Sequence, residues 1–158
     1  MRASSPLQSC TAGRSIIIGA SESFIRDHGV MIKLNHTIVH SKEPKTAAEF
    51  FAGLFGLPAP KPFGPFLNVE VGNEVTLAFL DAEGMDVQMQ HYAFLVSDRE
   101  FDAIFGRIQK RKLKYWADPG MKQEGEINKH YGGRGVYFQD LSGHLLEIIT
   151  RPYGAWDG

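Results

Sequence analysis

One order of predicted elements occurs twice along this chain of 158 residues, and that repetition limits the fold more than any other feature. The first half predicts a β-branched strand, a helix and two further strands, at residues 34–40, 46–55, 66–71 and 75–80. Gly56 ends the predicted helix, and Gly72-Asn73 is a hairpin-like turn between the last two strands. Three prolines argue against an additional strand between Pro58 and Gly64.

The second half repeats this order. It predicts strands at residues 89–96, 136–139 and 145–150, with a helix after the first of them. Ser97 and Glu100 form an S-x-x-E capping box at the start of that helix, and a long glycine-rich loop runs from Pro119 to Gly135. Each half offers one helix to cover one sheet face, so the opposite faces are expected to curve around a shared space. The chain is therefore predicted to be an α+β protein with a cup lined by both halves.

Candidate metal ligands stand at matching places in the two halves. Because strand side chains alternate, His36 shares a face with Ile38, and His91 lies opposite the bulky residues of its own strand. Glu147 is the one carboxylate in an otherwise apolar last strand, where burial is costly unless the charge is paired. A single histidine on a strand is more often structural, but two imidazoles and a carboxylate at corresponding places predict a facial metal triad.

Three segments resemble the vicinal oxygen chelate superfamily: residues 34–36, 90–94 and 135–147. This superfamily includes glyoxalase I, extradiol ring-cleaving dioxygenases, fosfomycin-resistance enzymes and bleomycin-binding proteins. The resemblance implies a single domain over residues 31–158, with two tandem βαβββ modules at about 32–82 and 88–153 that form a curved mixed sheet around a divalent metal. It also implies that His36, His91 and Glu147 are the metal ligands.

The resemblance further implies metal-dependent chemistry on a small oxygen-rich substrate, although one such scaffold supports many reactions. Glyoxalase I members add a fourth metal ligand from the last strand of the first module. The corresponding residues 75–80 contain neither carboxylate nor histidine, and Leu77 stands near the position of that ligand. We therefore favour a dioxygenase-type oxidoreductase. A glyoxalase-like lyase or isomerase and a non-catalytic bleomycin-resistance-type binding protein are kept as alternatives. Fe(II) or Mn(II) is the favoured metal, with Zn or Ni as alternatives.

Further residues are assigned to the predicted site. Tyr137 precedes Glu147 by ten residues, the place of a substrate-contacting tyrosine in fosfomycin-resistance enzymes. His130 lies in the long loop that would cover the cup. We predict catalytic roles for Tyr137 and His130. Three other residues are predicted to bind substrate: Phe79, Asn68 and Arg134.

Composition excludes several classes of protein. Seventeen Lys and Arg against 18 Asp and Glu give a net charge of −1, which is unsuited to a nucleic-acid or polybasic membrane surface. Cys10 is the only cysteine, which excludes an internal disulfide, and no apolar run reaches the length of a membrane span. We expect a cytoplasmic protein whose partner is a small-molecule substrate, and a homodimer is left open.

Residues 1–30 differ from the rest of the chain. They contain six serines and have no acidic residue before Glu22. We expect a disordered N-terminal extension, with a transit segment or a wrongly assigned start codon as alternatives.

Overall fold

The computed structural model describes residues 32–154. The first module contains β1 (His36–Ser41), α1 (Pro44–Phe55), β2 (Lys61–Phe63), β3 (Phe66–Glu70) and β4 (Thr76–Asp81). The second contains β5 (His91–Leu95), α2 (Asp98–Lys110), β6 (Tyr115–Trp116), β7 (Gly135–Gln139) and β8 (Leu145–Ile149), with a short 3-10 turn at His130–Gly132. The expectation for residues 1–30 lies outside the described residues. Between residues 32 and 154, no helix is long and apolar enough to cross a membrane.

The two modules have the same topology, which confirms the predicted α+β fold of two βαβββ units. The strand order is β1-β4-β3-β2 in one sheet and β5-β8-β7-β6 in the other. In each sheet the first strand pairs in parallel with the last, and the remaining pairs are antiparallel. The modules form two separate four-stranded sheets within the described residues rather than one continuous curved sheet.

Both helices begin and end where the local sequence favours it. At α2, the Ser97 side chain accepts a hydrogen bond from the Glu100 backbone and the Glu100 side chain bonds the Ser97 backbone, so the predicted capping box is confirmed. At α1, Gly56 adopts a left-handed conformation with φ 74° and its N–H bonds to Ala52 O. Glycine suits that conformation because it has no Cβ.

Two short strands were not predicted from the local sequence pattern, although two βαβββ modules require them. The prediction that no strand lies between Pro58 and Gly64 is wrong, because β2 pairs with β3 and places Pro62 opposite Leu67. Proline is tolerated there because β2 is an edge strand, in which one side of the backbone has no neighbouring strand to bond. The two-residue strand β6 is the corresponding edge of the second sheet.

One hydrophobic core joins the two modules. It contains apolar residues of both helices together with alternate residues of both sheets, including Val39, Phe79, Phe138 and Ile148. Phe55 of α1 contacts Phe94 of the second sheet, with ring centroids 4.8 Å apart. Each fully buried side chain of this size stabilises the fold by about 1.5–3 kcal/mol. Because side chains alternate along a strand, the other face of each sheet is turned away from this shared core.

Polar contacts also join the modules. His144 is fully buried between them, and its Nε2 lies 2.8 Å from His40 O. Its Nδ1 accepts a hydrogen bond of 3.1 Å from Gln90 N–H, so the proton is assigned to Nε2, which donates to the carbonyl. The hydroxyls of Ser142 and Ser41 are 2.9 Å apart across the same junction. These contacts satisfy buried polar groups that the strand pairing leaves free.

We expect His144→Ala to destabilise the protein by roughly 2–4 kcal/mol, because it removes a fully buried side chain together with its hydrogen bonds to the Gln90 N–H and the His40 carbonyl. His40→Ala is the matched control, since the His40 side chain is exposed and only its backbone carbonyl is used; its effect should stay within about 0.5 kcal/mol. Urea unfolding of the three proteins measures both values. Equal stability of the two variants would contradict the structural role of His144.

Candidate functional site

Three strands of the second sheet bring polar side chains to the face opposite the core. In the strand register, Ala93 of β5 pairs with Glu147 of β8, and Glu147 pairs with Tyr137 of β7. Residues paired in this way share a face, as does His91, which lies two residues before Ala93. His91, Tyr137 and Glu147 therefore lie together on one face of the sheet. The predicted alternation of β5 is confirmed, because Tyr92 and Phe94 pack against the core and His91 is exposed.

Glu147 stands at the centre of a hydrogen-bonded chain. Its Oε2 lies 3.2 Å from His91 Nε2, and its Oε1 accepts a hydrogen bond from the Tyr153 hydroxyl. The Tyr153 hydroxyl is in turn 2.7 Å from the Tyr137 hydroxyl. The single proton of Tyr153 goes to the carboxylate, so Tyr137 donates to Tyr153. The order of the chain is Tyr137, Tyr153, Glu147 and His91.

Burial differs sharply between the two potential ligands. The Glu147 side chain is 0% exposed, whereas that of His91 is 44% exposed. An ionised carboxylate removed from water is stable only when its oxygens are bonded, and here each oxygen has a partner. The pair therefore presents an accessible imidazole beside a buried anionic oxygen, an arrangement suited to a divalent cation.

The two tyrosines beside Glu147 are protonated donors at neutral pH. Burial, the hydrogen bond to Tyr153 and the nearby carboxylate of Glu147 together raise the pKa of Tyr137 far above its ordinary value. Burial and the hydrogen bond to Glu147 also raise the pKa of Tyr153. Both phenols therefore keep their protons for hydrogen bonding.

The loop between β6 and β7 lies close to this face of the second sheet. Asn128 anchors the loop: its side chain donates to Ala117 O, and its backbone exchanges two hydrogen bonds with Gly135. Tyr131, in the 3-10 turn, contacts the Tyr153 ring edge-on at 5.5 Å between centroids. His130 is exposed in the same turn, with its ring 6.3 Å from that of Tyr131. Its predicted catalytic role stays a prediction.

His36 does not join the pair of His91 and Glu147 within one chain. It borders a cavity of about 310 Å³ on the open face of the first sheet, together with Asn35, Ile38, Phe63, Phe66, Asn68, Thr76 and Ala78. Its Nδ1 lies 2.9 Å from Asn35 Oδ1. Among residues 32–154, no three His, Cys, Asp or Glu side chains come together as a metal site. The shared core explains the separation, because it holds the helix-facing sides of both sheets together and turns both ligand-bearing faces outward.

The predicted substrate-binding residues lie in three different environments. Asn68 borders the His36 cavity, and its buried Oδ1 has no hydrogen-bond partner among the described residues. Phe79 is a correction: it is 1% exposed and packs in the core against Phe51, out of reach of a substrate. The register is the reason, because His36 pairs with Thr76, which puts Phe79 on the opposite face from His36.

Arg134 is occupied by the second helix. Its guanidinium forms ion pairs with Asp98 and Asp102 and lies 4.4 Å from the centroid of the Phe101 ring. These contacts fix the end of the long loop to α2 and take up the donors that an anionic substrate would use. Its predicted contact with substrate has no support in this placement.

The sequence analysis missed Tyr153. This residue follows the last strand, in the segment Arg151-Pro152-Tyr153, where strand periodicity carries no information. Only a folded-back chain brings its hydroxyl to Glu147, six residues earlier. The six-residue spacing between Glu147 and Tyr153 does not by itself predict that the chain folds back in this way.

Comparisons with known proteins agree with this architecture. Residues 33–148 match the profile of the Glyoxalase/Bleomycin resistance protein/Dioxygenase superfamily. A segment of 73 residues is 33% identical to metallothiol transferase FosB of Shouchella clausii (strain KSM-K16), covering 45% of this chain and 44% of that protein. The chain thus spans less than half the length of this curated relative.

Solved structures extend the similarity over most of the chain. Oxidase ChaP-H1 is 57% identical, with a TM-score of 0.77, over 78% of this chain and 99% of that one. Oxidase ChaP-H2 is 52% identical, also with a TM-score of 0.77, over 79% of this chain and 98% of that one. A lactoylglutathione lyase from Agrobacterium tumefaciens is 17% identical, with a TM-score of 0.57, over 77% of this chain and 94% of that one, and shares the fold alone. The chain belongs to the glyoxalase/bleomycin resistance protein/dioxygenase superfamily, the vicinal oxygen chelate proteins.

Proposed function

We propose that this protein is a metal-dependent oxidoreductase of the vicinal oxygen chelate superfamily that acts on a small oxygen-rich substrate. The observation that carries the proposal is the fully buried carboxylate of Glu147 beside the exposed imidazole of His91. Two solved relatives described as oxidases, at 57% and 52% identity over nearly their whole lengths, favour oxidation over the lyase alternative.

The donor set fits a divalent metal ion. His91 offers a neutral nitrogen, Glu147 offers one anionic oxygen, and His36 is the third candidate in the equivalent strand of the other module. Two histidines and one carboxylate suit Fe(II) or Mn(II), and Zn or Ni also accept these donors. Such an ion, when bound, supplies open coordination positions for substrate oxygens and Lewis acidity.

The residues around this pair define what the protein itself contributes. Tyr137 stacks near His91, with ring centroids 5.9 Å apart, and forms one wall of the site. The Tyr153 hydroxyl bonds the carboxylate and the Tyr137 hydroxyl bonds that of Tyr153, so the Glu147 side chain is held in place. We propose that a substrate approaches from the exposed side of His91, with Tyr137 beneath it.

We propose that a second copy of the chain supplies the third ligand. In one chain the shared core turns the His36 face and the His91 face away from each other. The first-sheet face of one copy placed against the second-sheet face of another would bring His36 to His91 and Glu147. The symmetric arrangement would form two equivalent sites, as a two-fold interface does.

Exposed apolar side chains favour this interface. Ile38 lies two residues from His36 on the same face and is 40% exposed. Phe63, on the far edge strand β2, borders the same cavity and is 70% exposed. On the second sheet, Leu95 shares the His91 face and is 60% exposed. Apolar surface on both ligand-bearing faces is the pattern expected of surfaces that associate. A homodimer would bury these side chains as it completed the site.

Glu147→Gln tests the carboxylate ligand. The amide keeps the size of the side chain but removes the negative charge, so we expect metal affinity to fall about tenfold or more. The measurements are elemental analysis of protein purified without chelator and oxygen uptake by the Fe(II)- or Mn(II)-loaded protein with small vicinal diols and catechols. Glu124→Gln is the matched control, because Glu124 forms an exposed ion pair with Lys114. Wild-type metal content in Glu147→Gln would contradict the ligand assignment and favour a metal-free binding protein.

A mixed dimer tests the shared site. Chains carrying His36→Ala and Glu147→Gln are co-expressed with different tags, and the mixed dimer is isolated. One of its sites has lost both residues and the other keeps both, so we expect about half of the wild-type metal content, against little in either parent dimer. A site built within one chain would leave both halves of the mixed dimer defective. Metal content at the parental level, or a monomer in sedimentation analysis, would contradict the proposal.

A further inference from the structure

Tyr153 lies on a C-terminal segment that is fixed against the end of the long loop. Thr150 N–H donates a hydrogen bond of 2.9 Å to Arg134 O, and Arg134 N–H donates one of 2.9 Å to the Thr150 hydroxyl. Gly133 packs so closely here that a Cβ at that position would lie 2.7 Å from Arg151 Cγ. The segment is therefore held against the loop at Thr150 and Arg151, directly before Tyr153.

The two oxygens of Glu147 have different partners. Oε1 accepts the hydrogen bond from Tyr153, and Oε2 faces His91 Nε2 at 3.2 Å. The terminal torsion of a glutamate side chain is broad, so nothing intrinsic to the residue selects one orientation of the carboxylate. The Tyr153 hydroxyl is the donor that fixes the orientation of the carboxylate, with one oxygen facing the imidazole.

We propose that Tyr153 is a positioning residue of the metal site: its hydroxyl holds Glu147 Oε1, so that Oε2 and His91 Nε2 are presented together to a divalent cation. This inference rests on the proposed metal-dependent function. Partners that bond a ligating carboxylate from behind typically change metal affinity by 10- to 100-fold when they are removed. Tyr137 supports the same arrangement one step further out, because it donates to Tyr153 and not to the carboxylate.

Tyr153→Phe removes the hydroxyl and keeps the ring. The probe is Co(II) added to the full-length protein, with affinity measured by competition against a chromophoric chelator. We expect affinity to fall about tenfold or more in Tyr153→Phe, and by a smaller factor in Tyr137→Phe. Tyr131→Phe is the matched control, because the Tyr131 ring contacts the Tyr153 ring. The hydrogen bonds that lead to Glu147 are made by the hydroxyls of Tyr137 and Tyr153 instead. The affinity of Tyr131→Phe should stay within about twofold of the wild type.

The visible absorption spectrum of bound Co(II) separates positioning from a general loss of structure, because its bands report the ligand geometry at the ion. We expect the bands to shift in Tyr153→Phe and to stay unchanged in Tyr131→Phe. Tyr153 is 51% exposed, so the metal-free variant is expected to fold, and its thermal unfolding is measured alongside. Wild-type affinity and spectrum in Tyr153→Phe, or an equal loss in Tyr131→Phe, would overturn the positioning role while leaving the metal function intact. Failure of the wild-type protein to bind Co(II) would overturn both.

Discussion

The packing of α1 against both sheets governs where every functional side chain can point. Phe51 and Phe55 contact the first sheet through Phe79 and the second through Phe94 and Phe138. This aromatic contact buries the helix-facing side of each sheet in one core. Since strand side chains alternate, the same contact leaves the opposite sides free to carry polar groups. The free-energy cost of removing polar side chains from water therefore falls on the sheet faces outside the shared core.

Much of the fold could be predicted because repetition and alternation are local properties of the sequence. The strand that contains His91 alternates bulky and small residues, and the structure places Tyr92 and Phe94 toward the core as expected. The capping box at Ser97 could also be predicted, because it depends on two residues that are only three positions apart. Strand β2 could not be predicted, because prolines argue against a central strand but not against an edge strand. Only the strand pairing shows that β2 is at the edge of its sheet.

The site was harder to predict because it depends on contacts between distant segments. Phe79 was assigned to the wrong face of β4, since the sequence does not state whether Thr76 or Leu77 aligns with His36. A shift of one residue moves every side chain of a strand to the other face. The separation of His36 from Glu147 has a different origin, the shared core that turns both ligand-bearing faces outward. Equivalent places in a repeated pattern do not determine whether the two modules face each other in one chain. Tyr153 required knowledge of how the chain folds back after its last strand.

The surroundings of Glu147 support the proposal that this carboxylate binds a cation. Within residues 32–154, no lysine or arginine forms an ion pair with it, although it is fully buried. A carboxylate that stabilises a fold is usually matched by a cationic side chain or lies in water. Here it has only neutral phenols behind it and an imidazole on the accessible side. Under the proposed metal-dependent function, a cation bound beside the histidine nitrogen would neutralise the charge of this carboxylate, which accounts for an acidic side chain buried without a cationic partner.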